Sequence, residues 1–153
     1  MRLEEILAVD GIEVNAVLKD KSELLVRMID LAAKSGRVTN QEAALKDVVE
    51  REKLMSTGIG KGIALPHAKT NSVKETVGSF VILRDGVDFD SVDGERVYIA
   101  FMLLGKEANV GLHLRILSKI SRILDDDDYK GGIMKMKSGE EVIDFFKRLE
   151  GEE

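Results

Sequence analysis

The sequence predicts an α/β fold: a layered single domain in which a mixed β-sheet is flanked by helices on both sides. Three observations carry this. Four segments repeat their apolar residues at helical spacing. Two others, residues 77–83 and 97–104, are nearly continuous apolar runs of strand length, as expected of strands covered on both faces. Helical segments precede and follow these runs and separate them from the strand-like stretch at residues 12–18, the element order of a layered α/β domain.

Taken in order, Ile12, Val14, Ala16 and Leu18 alternate with their neighbours and read as a half-buried strand. Asp20 with Glu23 forms a capping box, after which Leu24, Leu25, Met28, Leu31 and Ala32 share a helical face until Gly36 supplies a stop. Thr39 with Glu42 reads as a second box, opening a helix to about Leu54. The stretch Arg84 to Arg96, with Asp85-Gly86 and Asp93-Gly94, reads as a turn-rich link between the two strand runs. From about Asn109, the residues Val110, Leu114, Leu117, Ile120 and Leu124 mark a strongly amphipathic helix. Asp125 to Asp128 read as its solvated stop, because negative charge there opposes the helix dipole. Ser138 with Glu141 opens a last short helix holding Val142, Ile143, Phe146 and Leu149. No repeat or Pro/Gly/Ser-rich linker divides the chain, so residues 1–153 read as one domain.

Composition narrows the function classes. The 153 residues are 44% hydrophobic and 33% charged, normal for a soluble globular protein. There is no apolar run of spanning length, and Met1-Arg2-Leu3-Glu4-Glu5 lacks the layout of a signal peptide, so the expectation is cytoplasmic. The absence of cysteine excludes disulfides, thiolate metal sites and cysteine nucleophiles. A net charge of −5, with the two signs mixed along the chain, argues against nucleic acid as a partner.

The chemistry concentrates between Ser56 and His67. Gly58, Gly60 and Gly62 fall at alternate positions before a short apolar run, the single proline Pro66, and His67. Such glycines let another molecule approach the main chain, and their amides are candidates for binding an anion. The segment is neither a dinucleotide fingerprint, which needs its third glycine at another spacing and a following helix, nor a P-loop, since Lys61 is followed by glycine. Pro66 fixes the backbone entering His67, which lowers the entropic cost of holding that ring in a reactive pose. His113, the second histidine, shares a helical face with Ile116, Leu117 and Ile120, and by position alone reads as a core-edge residue. A metal site on the two histidines lacks both close pairing and a third ligand. Arg51 reads either as a solvated charge near a helix end or as a guanidinium aimed at an anion. Ser56 and Thr57 are turn residues that also offer hydroxyl donors. Arg115, Lys119 and Arg122 share one face of the long helix, solvated or facing an acidic partner.

Taken together, Arg51-Glu52, Ser56-Thr57-Gly58-Ile59-Gly60 and Gly62-Ile63-Ala64-Leu65-Pro66-His67-Ala68 resemble the IIA domain of the fructose, mannitol and nitrogen-regulatory class of the phosphoenolpyruvate-dependent phosphotransferase system. Gly86-Val87-Asp88-Phe89, Asp93-Gly94, His113-Leu114-Arg115-Ile116-Leu117 and Ser138-Gly139-Glu140-Glu141-Val142 extend the resemblance over nearly the whole chain, while Gly105 to Leu112 depart from the usual pattern. The resemblance implies a mixed sheet flanked by helices, and a histidine phosphocarrier in which His67 takes a phosphoryl group from HPr and passes it to a IIB domain. Carried over by position, Arg51 and His113 become its active-site companions, and Thr57, Ser56 and Gly58 the phosphate-binding residues. No cofactor and no metal are implied. Members of the system with a fused IIB domain use a cysteine there, so the resemblance implies a stand-alone IIA acting in trans and meeting the membrane only indirectly, through a IIC permease. A nitrogen-regulatory protein, whose phosphorylation state controls its binding to other proteins, shares the same motifs.

Overall fold

The two apolar runs form the centre of the molecule. In the computed structural model, which describes residues 1–151, they are long antiparallel neighbours, β5 (Val77–Val87) and β6 (Val97–Gly105). Around them lie β1 (Ile12–Ala16), β2 (Gly58–Gly60), β3 (Ile63–Ala64) and β4 (His67–Lys69), in the order β1-β5-β6-β3-β2, with β4 also against β6. The sheet is mixed: β1 runs parallel to β5, β3 and β4 run parallel to β6, and β2 runs antiparallel to β3.

Helices cover both faces, as the sequence predicts. On one side α2 (Lys21–Ala33) and α3 (Gln41–Leu54) bury Leu24, Met28, Ala44 and Val48 against Val81, Leu83, Ala100, Met102 and Leu104. On the other side lie α1 (Leu3–Ile6), α4 (Val110–Asp125), α5 (Asp127–Met134) and α6 (Gly139–Gly151). These pack Ile6, Ile120, Ile133 and Phe146 against Phe80, Ile82, Ile99, Phe101 and Leu103. Alternate residues of β5 and β6 therefore face opposite cores, which is why the sequence there is apolar without a break.

Several boundaries differ from the sequence reading, each for a local reason. Asn40, not Thr39, caps α3: its side chain accepts from the Ala43 amide at 3.1 Å, while the Thr39 amide donates to the Ser72 carbonyl at 2.7 Å. The four aspartates do not only end a helix. Asp126 accepts from the amides of Asp128 and Tyr129 at 2.9 and 3.0 Å and so caps α5, with Asp127 and Asp128 in the dipole-favoured first turn. Nor is Arg84 to Arg96 all turn, because β5 continues to Val87 after a register slip beyond Ile82.

The glycine segment is strand and hairpin rather than open loop. β2 and β3 are joined at Lys61-Gly62, where φ is +58° and +80°, the pair of positive angles a tight two-residue hairpin requires. The chain then runs on alongside β6 through β3 and β4. Pro66 falls in the break between them, where only its carbonyl is used, accepting from the Leu103 amide at 3.0 Å. This pairing carries His67 to a position opposite Leu103.

Candidate functional site

His67 lies at the start of β4, half-buried, on the wall of a cleft of about 600 Å³ between α3 and α4. Asp47, Glu50, Arg51 and Leu54 line it from α3, Lys69 from β4, and Val110, His113, Leu114 and Leu117 from α4. His67 and Lys69 share this wall because residues two apart on a strand point the same way. Val110, His113, Leu114 and Leu117 share the facing wall because their spacing covers one side of a helix.

The His67 ring is fixed by a hydrogen bond of 2.8 Å between Nδ1 and the Leu65 carbonyl. A carbonyl only accepts, so Nδ1 carries the proton and the lone pair of the neutral ring is on Nε2. Burial pushes the His67 pKa below its ordinary value; the Arg51 and Lys69 charges act in the same direction, while the Leu65 carbonyl and Glu52 oppose them. The ring is therefore neutral at physiological pH, a nucleophile with one free nitrogen.

His113 stands beside it, with ring centroids 5.4 Å apart and planes tilted by 57°. It is 4% exposed, and neither ring nitrogen has a hydrogen-bond partner. Burial, then the neighbouring His67 and Lys69, lower its pKa to about 4. An unpartnered buried ring N–H is a costly donor, and acceptor oxygens brought into the cleft would satisfy it.

Arg51 reaches the same cleft from the last turn of α3, where its Nη1 donates to the Met55 carbonyl at 3.0 Å. Arg51, His67 and His113 are thus brought together. Ser56, Thr57 and Gly58 are not among the cleft residues. Thr57 is buried, its hydroxyl donates to the Glu52 carboxylate, and its amide donates to the same carboxylate at 3.1 Å. Lys21 closes this brace at 2.9 Å from Glu52. Ser56 Oγ donates to the Phe89 carbonyl at 2.7 Å and accepts from the Gly58 amide at 3.1 Å. The Gly58 carbonyl accepts from Val92, and the Lys61 amide is held by Asp93 at 2.9 Å. These hydroxyls and the Gly58 and Lys61 amides are occupied within the fold, and the segment serves to place β4.

Lys69 was not singled out by sequence reasoning. Its place two residues after His67 is visible in the sequence, but only the pairing of β4 with β6 shows that the two side chains share a face. On α4, Lys119 is tied to Glu150 at 2.8 Å and to the Met1 carbonyl at 3.0 Å, which leaves Arg115 and Arg122 as the exposed members of that basic face. Among the described residues, no helix is long and apolar enough to cross a membrane.

Comparison with known proteins shows the family of the chain. The profile of the family described as "Phosphoenolpyruvate-dependent sugar phosphotransferase system, EIIA 2" matches residues 5–149. The chain is 38% identical over 117 residues to the fructose-specific EIIA component of Haloferax volcanii, covering 76% of each protein. It is 33% identical over 140 residues to the nitrogen regulatory protein of Pseudomonas aeruginosa, covering 92% of this chain and 91% of that one. It is also 32% identical over 148 residues to the fructose-specific EIIABC component of Bacillus subtilis, where it covers 97% of this chain but only 23% of the longer protein. The crystal structure of IIA-Ntr from Neisseria meningitidis superposes with a TM-score of 0.85 at 33% identity, over 90% of this chain and 94% of that one. The mannitol IIA in the Escherichia coli complex of IIA with phosphorylated IIB shares the fold, with a TM-score of 0.79 at 20% identity over 93% and 99% of the two chains. With its sheet, its hairpin-led histidine and its match from residue 5 to 149, the chain belongs to the EIIA family of the phosphoenolpyruvate-dependent sugar phosphotransferase system.

Proposed function

We propose that this protein is a histidine phosphocarrier in which Nε2 of His67 accepts a phosphoryl group from phospho-HPr and hands it to a IIB partner acting in trans, in the cytoplasm. The observation that carries the reading is the Nδ1 hydrogen bond to Leu65, which leaves Nε2 unprotonated in a cleft with two cations. In the transfer, the donor's N–P bond breaks, its electron pair returning to the donor nitrogen, as the Nε2–P bond forms, and the Nδ1 proton stays on Nδ1, hydrogen-bonded to the Leu65 carbonyl. Phosphoryl transfer asks a protein mainly for alignment and for positive charge around the equatorial oxygens. Arg51 and Lys69 supply the charge, and His113 supplies a ring N–H that has no other partner. Ser56, Thr57 and Gly58 act one step back, holding the strand that carries His67.

The test is intact-mass analysis after incubation with phosphoenolpyruvate, enzyme I and HPr. Wild type is expected to gain one acid-labile phosphoryl group, His67→Ala none, and Arg51→Ala the same group more slowly. An unmodified wild type beside a demonstrably phosphorylated HPr overturns the reading.

A second reading concerns the use of the phosphoryl group. Similarity over 91% and 94% of two nitrogen regulatory proteins favours a role in which phosphorylation of His67 switches binding to other proteins. Transfer onward to a fructose-class IIB supports uptake. Phosphorylation-dependent capture of a protein that accepts no phosphoryl group supports regulation.

A further inference from the structure

We propose that Gly105 is the positioning residue of the transfer site, its missing side chain forming the seat for the His113 ring. The proposal rests on the reading of His113 as part of that site. Gly105 ends β6 and pairs with Lys69 of β4, and its carbonyl accepts from the Thr70 amide at 2.8 Å. It therefore stands at the junction of the two elements that carry Lys69 and the second histidine. A Cβ built on Gly105 would lie 2.6 Å from Nδ1 of His113 and 3.5 Å from Cε1 and Cγ. The first distance is inside van der Waals contact, so an alanine methyl at this position would strike Nδ1 of the imidazole.

The space left by Gly105 settles two features of the site. It lets the ring sink to 4% exposure, and it sets the Nδ1 edge against the strand end. Both ring nitrogens are buried without a hydrogen-bond partner, and the ring is held beside His67, with centroids 5.4 Å apart. Gly105 has no positive φ, so the backbone itself tolerates alanine. The reason for glycine is the ring, not the chain. Nothing else on α4 requires it, because Ile116, Ile120 and Leu124 pack against the sheet further along.

Two double-mutant cycles test this on the full chain. In the first, Gly105→Ala is expected to lower Tm by several degrees in wild type and to have almost no effect in His113→Ala, where the ring it strikes is gone. In the second, Gly105→Ala slows phosphorylation by phospho-HPr by as much as His113→Ala does, and the double variant is no slower than either. The His113 ring signals in a 1H–15N spectrum of Gly105→Ala should titrate nearer the ordinary histidine range, because the ring has left its buried seat. Equal Tm losses in both backgrounds, or an unchanged His113 titration, overturn the proposal. If His113→Ala transfers at the wild-type rate, the catalytic reading of His113 fails instead, while the Tm cycle and the titration still decide the role of Gly105.

Discussion

A buried imidazole that is neutral in the fold and free to protonate in the unfolded chain couples stability to pH. His113 has a folded pKa of about 4 against an ordinary 6.5, so between those values the unfolded chain binds the extra proton. The stability tied to the neutral ring is complete above pH 6.5, declines as pH falls, and is gone below about 4. Thermal melts of wild type and His113→Leu across this interval should show wild type losing Tm relative to the variant as pH drops. A constant difference contradicts the burial argument. The same logic keeps His67 neutral: a proton there would add charge to a half-buried ring beside Arg51 and Lys69.

The brace of Lys21, Glu52 and Thr57 joins α2, α3 and the chain entering β2, so one substitution should be felt by all three. Thr57→Val removes a donor from a buried carboxylate and should cost about 1–3 kcal/mol in chemical denaturation. Its effect on phosphorylation should stay smaller than that of Arg51→Ala. A variant that keeps full stability but loses transfer would return Thr57 to the phosphate. The helices α2 and α4 and the strands β5 and β6 were legible in the sequence, because periodicity and unbroken apolar runs report burial directly. α5 was not, since an aspartate run signals a helix end and a helix start with the same residues. The strands β2, β3 and β4 were hidden as well. They are two or three residues long, glycine-rich, and defined by pairing with distant β6 rather than by their own pattern. At the site, His67 and its proline announced themselves. The contact of Gly105 with His113 did not, because it joins residues that only the fold brings together.

Across the whole molecule, the His67 cleft opens through an apolar rim. Leu54 is 82% exposed, Leu114 60% and Val110 43%, all lining the cleft with Arg51 and Lys69. Exposed apolar residues grouped around a reactive centre suit partners that must dock, transfer and leave. Leu114→Asp should raise the KM for phospho-HPr several-fold with Tm unchanged, since the side chain already faces water. Unchanged KM would remove this rim from the docking surface. The central claim is narrower: the free nitrogen of one histidine, held by Leu65, takes the phosphoryl group. A long-range 1H–15N correlation spectrum of 15N-labelled protein, recorded before and after phosphorylation by enzyme I and HPr, tests it most directly. The account predicts that the His67 Nε2 signal moves to a phosphorylated position while Nδ1 keeps its proton. Phosphate on Nδ1, on His113, or on neither ring would contradict it.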